Sequence, residues 1–260
     1  MGHNIMTSAE RLRSISQTLS EARRAAKALP GFPGELPGSF ADAYEVQRLS
    51  RERWADDVAG WKVGGVPSAF IEQFGETRLV GPIFARSVVR VSPGEMAKMP
   101  VFAGAFGAIE PEFVIELGES RDQDRLYIGA EIASSPLPAI NDIGPIAVIC
   151  DFGNNNGLLI GDEIVGWRDM AAKMAVVETH IDGELIGSKV LPEFRTDALD
   201  VLDFIFDHAR KYDIDLPAGT FVSTGAITGV HEASIGSRST LDFGSFGTLD
   251  MELTRAEPIS

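Results

Sequence analysis

From Gly60 onward, short β-branched runs alternate with glycine and proline, and this texture restricts most of the chain to strands joined by turns. Strands are expected over 61–63, 88–91, 113–117, 146–150, 158–160, 173–181, 220–226 and 248–253. Asp182-Gly183, set between apolar flanks, predicts a tight hairpin. One helix interrupts the pattern. Leu199, Leu202, Ile205, Phe206, Ala209 and Tyr212 share a face, with Thr196 as the expected N-cap and Arg210-Lys211 in the last turn. The beginning of the chain reads differently. Thr7-Ser8-Ala9-Glu10 is a capping box, and Leu12, Ile15, Leu19, Ala22, Ala26 and Leu29 recur at helical steps. The Pro30-Gly31-Phe32-Pro33-Gly34 stretch stops that helix, and a second is expected over about 39–57, opening at Ser39 with Asp42 three residues on. The reading is an α+β chain: an N-terminal helical segment over 1–60 and a β-rich body over 61–260, joined as one continuous unit.

Composition excludes several classes of function. Lys plus Arg number 23 against 38 Asp plus Glu, a formal net charge of −15, which opposes any grip on a phosphate backbone. No apolar run approaches the ~20 residues of a membrane helix. The opening Met1-Gly2-His3-Asn4-Ile5-Met6 carries no apolar signal core. A single cysteine, Cys150, excludes an internal disulfide and a cysteine-rich zinc site. A soluble cytoplasmic protein is expected, with a small molecule as its partner and neither nucleic acid nor membrane.

Glu110-Pro111-Glu112 leads into the apolar run Phe113-Val114-Ile115. On a strand, residues two apart point to one face. Two carboxylates aimed together repel unless a cation or a shared proton lies between them. A hard divalent ion with oxygen ligands is one solution; a solvated face carrying Glu110, Glu112 and Glu116 is the ordinary alternative. Glu131, in Gly129-Ala130-Glu131-Ile132, is either paired or at a surface turn. Lys62, between Trp61 and Val63 and followed by Gly64-Gly65, reads either as a cation for a substrate carboxylate, or an acid/base, or as a strand lysine that snorkels to water. Ser223-Thr224-Gly225-Ala226 closes a β-branched run, either as an anion-binding turn or as a plain strand-to-turn transition. Asp151-Phe152-Gly153-Asn154-Asn155-Asn156-Gly157 is a turn-forming loop, since Asn tolerates positive φ. Its glycines lack the spacing of a dinucleotide fingerprint. His3, His180, His208 and His231 form no metal-binding pair, and no G-x-S-x-G elbow occurs.

In order, these pieces form one pattern: Asp42-Ala43-Tyr44-Glu45-Val46-Gln47, Gly60-Trp61-Lys62-Val63-Gly64, Gly81-Pro82-Ile83-Phe84-Ala85, Ile109-Glu110-Pro111-Glu112 with Leu117-Gly118, Ala130-Glu131-Ile132, the Asn-rich loop, and Val222-Ser223-Thr224-Gly225-Ala226. The pattern resembles the 2-oxopent-4-enoate hydratases and 4-oxalocrotonate decarboxylases of the fumarylacetoacetate hydrolase superfamily, over nearly the whole chain. The resemblance implies a β-rich body with a mixed, rolled sheet behind an N-terminal helical segment, in a homo-oligomer. It places Mg²⁺ or Mn²⁺ on Glu110, Glu112 and Glu131. It gives Lys62 and Thr224 catalytic and substrate-binding roles, beside Gly225. The departures are Trp61 and Thr224 where Tyr and Ser are usual, Leu79-Val80 where an acid is common, a shortened run from Glu112 to Glu131, and Ala133-Ser134-Ser135-Pro136 in place of an Asp and Arg.

The activity implied is hydration of a 2-hydroxy-2,4-dienoate: protonation at C5, then addition of water at C4, giving a 4-hydroxy-2-oxo acid. Lys62 would bind the carboxylate or shuttle a proton, and Thr224 would orient substrate or water. Decarboxylation of a 4-oxalocrotonate-type 2-oxo acid uses the same metal and electron sink, and calls for an extra cation in the pocket, with Arg78 and Arg86 nearby in sequence. Hydrolysis of an acylpyruvate needs a His–Glu pair that no histidine here suggests. A non-catalytic paralogue is the reading from outside enzymology.

Overall fold

Two capped helices open the described chain. Helix α1 (Ser8–Arg24) starts at Thr7, whose hydroxyl accepts the Glu10 N–H while the Glu10 carboxylate accepts the Thr7 N–H at 2.8 Å. Helix α2 (Phe40–Glu52) starts at Ser39, whose hydroxyl accepts the Asp42 N–H at 3.1 Å. The structure is a computed structural model that describes residues 7–170 and 174–259. The 1–6 stretch, and Lys173 at the head of the strand expected over 173–181, lie outside the described residues.

Strands β1 (Val58–Gly65) and β2 (Arg78–Phe84) flank helix α3 (Ser68–Phe74), and β3 (Val88–Arg90), β4 (Met96–Val101), β5 (Phe106–Glu116) and β6 (Arg125–Ser135) follow. Short helices α4 (Ile140–Ile143) and α5 (Pro145–Cys150) precede β7 (Asn155–Glu163). The hairpin β8 (Ala175–Ile181) and β9 (Glu184–Leu191) leads into helix α6 (Phe194–Tyr212). Strands β10 (Phe221–Ser223), β11 (His231–Glu232), β12 (Arg238–Asp242) and β13 (Thr248–Arg255) complete the chain.

The strands form two curled, mixed sheets. The larger runs β2-β1-β10-β5-β6-β7-β3, with β11 added to β5; β1/β10 and β3/β7 are its parallel pairs. The smaller runs β4-β13-β12-β8-β9, with β4/β13 parallel. One apolar cluster joins both sheets to the helices: Leu12, Ile15 and Leu19 of α1 belong to the same core as Ile128 and Leu253. Beneath α1 the Arg23 guanidinium meets Asp151 at 2.6 Å, an almost fully buried pair that fixes the helix to the loop before β7.

Asp182 and Gly183 both take positive φ at the β8–β9 turn, as the expected hairpin requires. Helix α1 ends at Arg24, short of the Pro30 stop, with Ala26 at positive φ, and β10 covers only 221–223 of the strand expected over 220–226. Three further expectations are corrected. The run 146–150 is helix α5, not a strand: Pro145 stands at its first turn after Gly144, a helix-starting position that outweighs the β-branched content. Helix α6 begins at Phe194, with Glu193 rather than Thr196 as N-cap; the Glu193 carboxylate accepts the Arg195 N–H at 3.2 Å. Helix α2 ends at Glu52, short of 57.

Candidate metal centre

Strand register places the candidate residues on one sheet face. Lys62 of β1 lies opposite Ser223 of β10, and Ser223 lies opposite Val114 of β5. Glu112 and Glu110 share the face of Val114, because side chains alternate along a strand. Glu110 lies directly opposite Glu131 of β6. Residues facing one another across a ladder point to the same side, so Lys62, Ser223, Glu112, Glu110 and Glu131 converge. One carboxylate oxygen from each of the three glutamates lies within 4.8 Å of the others.

All three glutamates are buried, with Glu112 only 1% exposed, and Lys62 is 5% exposed. The solvated-face alternative is therefore excluded for Glu110 and Glu112, and the surface-turn alternative for Glu131. The Lys62 Nζ lies 3.1 Å from Glu131 Oε2 and donates to Asn154 Oδ1 at 3.2 Å. The other Glu131 oxygen accepts from Asn155 Nδ2 at 3.0 Å. The Oε2 of Glu112 accepts from the Ser223 hydroxyl and from the Gly225 N–H, the latter at 2.9 Å. Its Oε1 is buried and has no hydrogen-bond partner among the described residues.

The flanking loops are shaped to allow this. Phe152, Gly153 and Asn154 all take positive φ, which turns the Asn154 amide toward Lys62. Left-handed backbone is costly at Phe152, and such strain concentrates at functional sites. Gly225, at φ 97°, turns its N–H onto Glu112 in a conformation that a side chain would oppose.

Four buried ionisable groups share this space, and three carry negative charge when ionised. Burial, then the Glu131 charge, pushes the Glu110 carboxyl up to about 8. Burial, Glu131 and Glu110 push Glu112 well above the ordinary carboxylate range. Burial works against the Lys62 ammonium, but Glu131, Glu110 and Glu112 outweigh it and hold its pKa above the usual lysine value. The three glutamates fit a divalent ion: the donor set is all oxygen, Glu112 Oε1 lacks a partner among the described residues, and a cation would relieve the repulsion.

Glu110 holds a proton in the folded state up to about pH 8, whereas its ordinary value is 4.5. Its contribution to stability is therefore fully present below about pH 4.5 and is lost as the pH rises through about 8. In EDTA, the melting temperature should fall between pH 5 and pH 8 by on the order of 10 °C. Glu110→Gln should flatten that fall, and millimolar Mg²⁺ should reverse it at pH 8. A metal-free melting temperature that stays flat or rises over this interval would contradict the arrangement.

Thr224 is close by but faces differently. Its hydroxyl donates to the Phe113 carbonyl at 3.0 Å, and the hydroxyl that reaches the carboxylates belongs to Ser223. Thr224 and Gly225 instead line a 390 Å³ pocket with Val63, Phe113, Arg78 and Lys189. Gly225 is the link, since it lines the pocket and donates to Glu112. Neither Arg78 nor Lys189 has an ion-pair partner among the described residues. Arg86 lies elsewhere, beside Asp56 at 3.8 Å. Sequence reasoning missed Ser223, Asn154 and Asn155 as individual residues. The alternation of side chains on β10 was the available signal for Ser223: it lies opposite Lys62, and Thr224 is one step out of register.

No family model matches the sequence, and no curated protein matches it. Among solved structures, the 4-oxalocrotonate decarboxylase from Pseudomonas putida G7, complexed with magnesium and adipate, superposes with a TM-score of 0.75 at 19% identity, covering 96% of this chain and 100% of that one. The fumarylpyruvate hydrolase from Pseudomonas aeruginosa, in complex with Mn²⁺ and pyruvate, gives 0.54 at 16% identity, covering 75% of this chain and 89% of that one. The 2-hydroxyhepta-2,4-diene-1,7-dioate isomerase from Mycobacterium marinum gives 0.52 at 15% identity, covering 77% of each chain. Among the described residues, no helix is long and apolar enough to cross a membrane. The chain thus has the fold shared by these solved structures.

Proposed function

We propose that the protein is a divalent-metal-dependent enzyme acting on a small 2-oxo acid, with Glu110, Glu112 and Glu131 as the metal ligands. The observation that carries this reading is the buried carboxylate triad in which Glu112 Oε1 has no partner among the described residues. The magnesium and manganese named with the neighbouring decarboxylase and hydrolase structures support it. A bound Mg²⁺ or Mn²⁺ would supply Lewis-acid stabilisation of negative charge at the 2-oxo oxygen. Lys62, held protonated by three carboxylates, donates to the substrate carboxylate or to the oxygen that gains charge. Thr224 and Gly225 bound the substrate on the pocket side. Ser223 and Asn155 hold Glu112 and Glu131 in position.

Two lyase reactions fit this machinery: hydration of a 2-hydroxy-2,4-dienoate, and decarboxylation of a 2-oxo dicarboxylate. Arg78 and Lys189 favour the second. They stand in the same pocket as Gly225 without carboxylate partners among the described residues, and a second substrate carboxylate gives them one. The adipate named with the neighbouring decarboxylase is a dicarboxylate, in line with this preference.

Calorimetric titration tests both levels. Oxalate, which mimics the chelating end of an enolised 2-oxo acid, should bind with Mg²⁺ and not without it. With Mg²⁺, 2-oxoadipate should then bind at least roughly tenfold tighter than 2-oxohexanoate, and Arg78→Gln should remove that preference. Absence of oxalate binding in both conditions would overturn the metal reading. Equal binding of the two longer acids would return the reaction to hydration of a monocarboxylate.

A further inference from the structure

A second cavity shares no lining residue with the pocket beside Gly225. It encloses about 510 Å³, a volume suited to a small organic ligand. Trp54, Phe84 and Phe102, with Val89 and Pro100, give it an apolar floor. Its charged lining runs against the composition of the chain. Arg23, Arg24, Arg53, Arg86 and Lys98 contribute, against Asp56 and Glu257. The chain as a whole has 23 basic and 38 acidic residues.

These cations differ in what already occupies them. Arg23 is fully engaged: it meets both Asp151 oxygens and the Asn155 carbonyl, and its guanidinium lies 5.5 Å from the Phe102 ring centre. It forms part of the wall and offers no free charge. Arg86 leans on Asp56, and Arg53 donates to the Ser16 hydroxyl at 3.0 Å. Arg24 and Lys98 have no carboxylate partner among the described residues. The Arg24 Nε–H is buried and lacks an acceptor among those residues. A buried donor without an acceptor is costly, so the protein alone leaves the Arg24 side chain incompletely satisfied.

An aromatic floor beside unpaired guanidinium and ammonium groups recognises one chemistry: a flat apolar body carrying an oxyanion. We propose that this cavity is a second ligand site, separate from the carboxylate triad, that binds an aryl carboxylate with its ring over Trp54, Phe84 and Phe102 and its carboxylate toward Arg24 and Lys98. The site is one residue removed from the triad. Asn155 lines the cavity, and its side-chain amide donates to Glu131 Oε1 at 3.0 Å. Occupancy is therefore expected to alter Mg²⁺ affinity through Asn155.

The probe is 2-naphthoate, titrated calorimetrically into the full chain, with neutral 2-naphthylmethanol as the comparison. One 2-naphthoate per chain should bind, and the neutral analogue at least roughly tenfold more weakly. The double substitution Arg24→Gln/Lys98→Gln should reduce 2-naphthoate to the level of the alcohol without changing the melting temperature. Arg78→Gln/Lys189→Gln, in the other pocket, should leave it unchanged. Four results overturn the proposal: no binding; binding indifferent to Arg24→Gln/Lys98→Gln; binding lost instead in Arg78→Gln/Lys189→Gln; or sedimentation showing that the first pair of substitutions dissociates copies of the chain, which would make this face a contact between copies.

Discussion

Glu112→Gln should abolish Mg²⁺-dependent oxalate binding while leaving a folded protein that, without metal, melts no lower than the parent. Both halves come from the separate circumstances of the two Glu112 oxygens. Oε2 accepts from the Ser223 hydroxyl and the Gly225 N–H, and a glutamine carbonyl can keep both bonds. Oε1, buried and without a partner among the described residues, is replaced by an NH₂ group that cannot ligate a cation. The loss of metal affinity should be roughly 100-fold or more, since even indirect contributors to a metal site cost about 10- to 100-fold. The same substitution removes a carboxyl whose ionised form burial, Glu131 and Glu110 all oppose, so the metal-free protein no longer bears the cost of ionising it. Mg²⁺ titration followed by calorimetry, and thermal melts in EDTA, check the two halves independently. Metal binding equal to the parent's would remove Glu112 from the ligand set.

The site was legible to the extent that strand periodicity made it so. Glu110 and Glu112 share a face because they are two residues apart, and the residues entering β5 are apolar enough to identify it as a strand. From its own surroundings Glu131 was legible only as an unusual carboxylate, and its role as a ligand came from the resemblance. Its strand has Leu126-Tyr127-Ile128 near its start but continues through Gly129, Ala130 and Ser134, which carry little β preference, so the signal of β6 fades around Glu131. Pairing with β5 along eleven register positions makes it a strand, and the same pairing sets Glu131 against Glu110. Helix α5 failed for the opposite reason. Ile146-Ala147-Val148-Ile149-Cys150 is buried throughout, and a short, wholly buried run has no period to distinguish helix from strand. Helices α1 and α2 were legible because half-exposed helices keep a period and local caps. Arg78 and Lys189 lie on strands of different sheets, and only the packing of the β8–β9 hairpin brings them to one pocket.

Lys62→Met should separate metal binding from turnover. Lys62 Nζ lies 3.1 Å from Glu131 Oε2 and occupies the same cluster of negative charge that a divalent ion would enter. Two cations in one buried cluster repel, so removing the ammonium should leave Mg²⁺ affinity equal to or above the parent's. Without metal the effect reverses. Glu131 loses its buried partner, and truncating one member of such a pair costs about 3–5 kcal/mol. The variant should therefore melt well below the parent in EDTA and recover most of the difference when Mg²⁺ is added. Turnover of the 2-oxo acid that the parent processes should fall by roughly 10²- to 10⁴-fold, because a methionine thioether can neither donate to a charge-gaining oxygen nor transfer a proton. Metal titration, melts with and without Mg²⁺, and kcat measured at saturating Mg²⁺ give three independent readouts. A purely structural lysine would lower the melting temperature and leave kcat of the metal-loaded variant unchanged, and that pattern would remove Lys62 from the chemistry. Lowered kcat with retained Mg²⁺ affinity assigns the work of the site to two parts: carboxylates that hold the ion, and a lysine whose proton those same carboxylates keep in place.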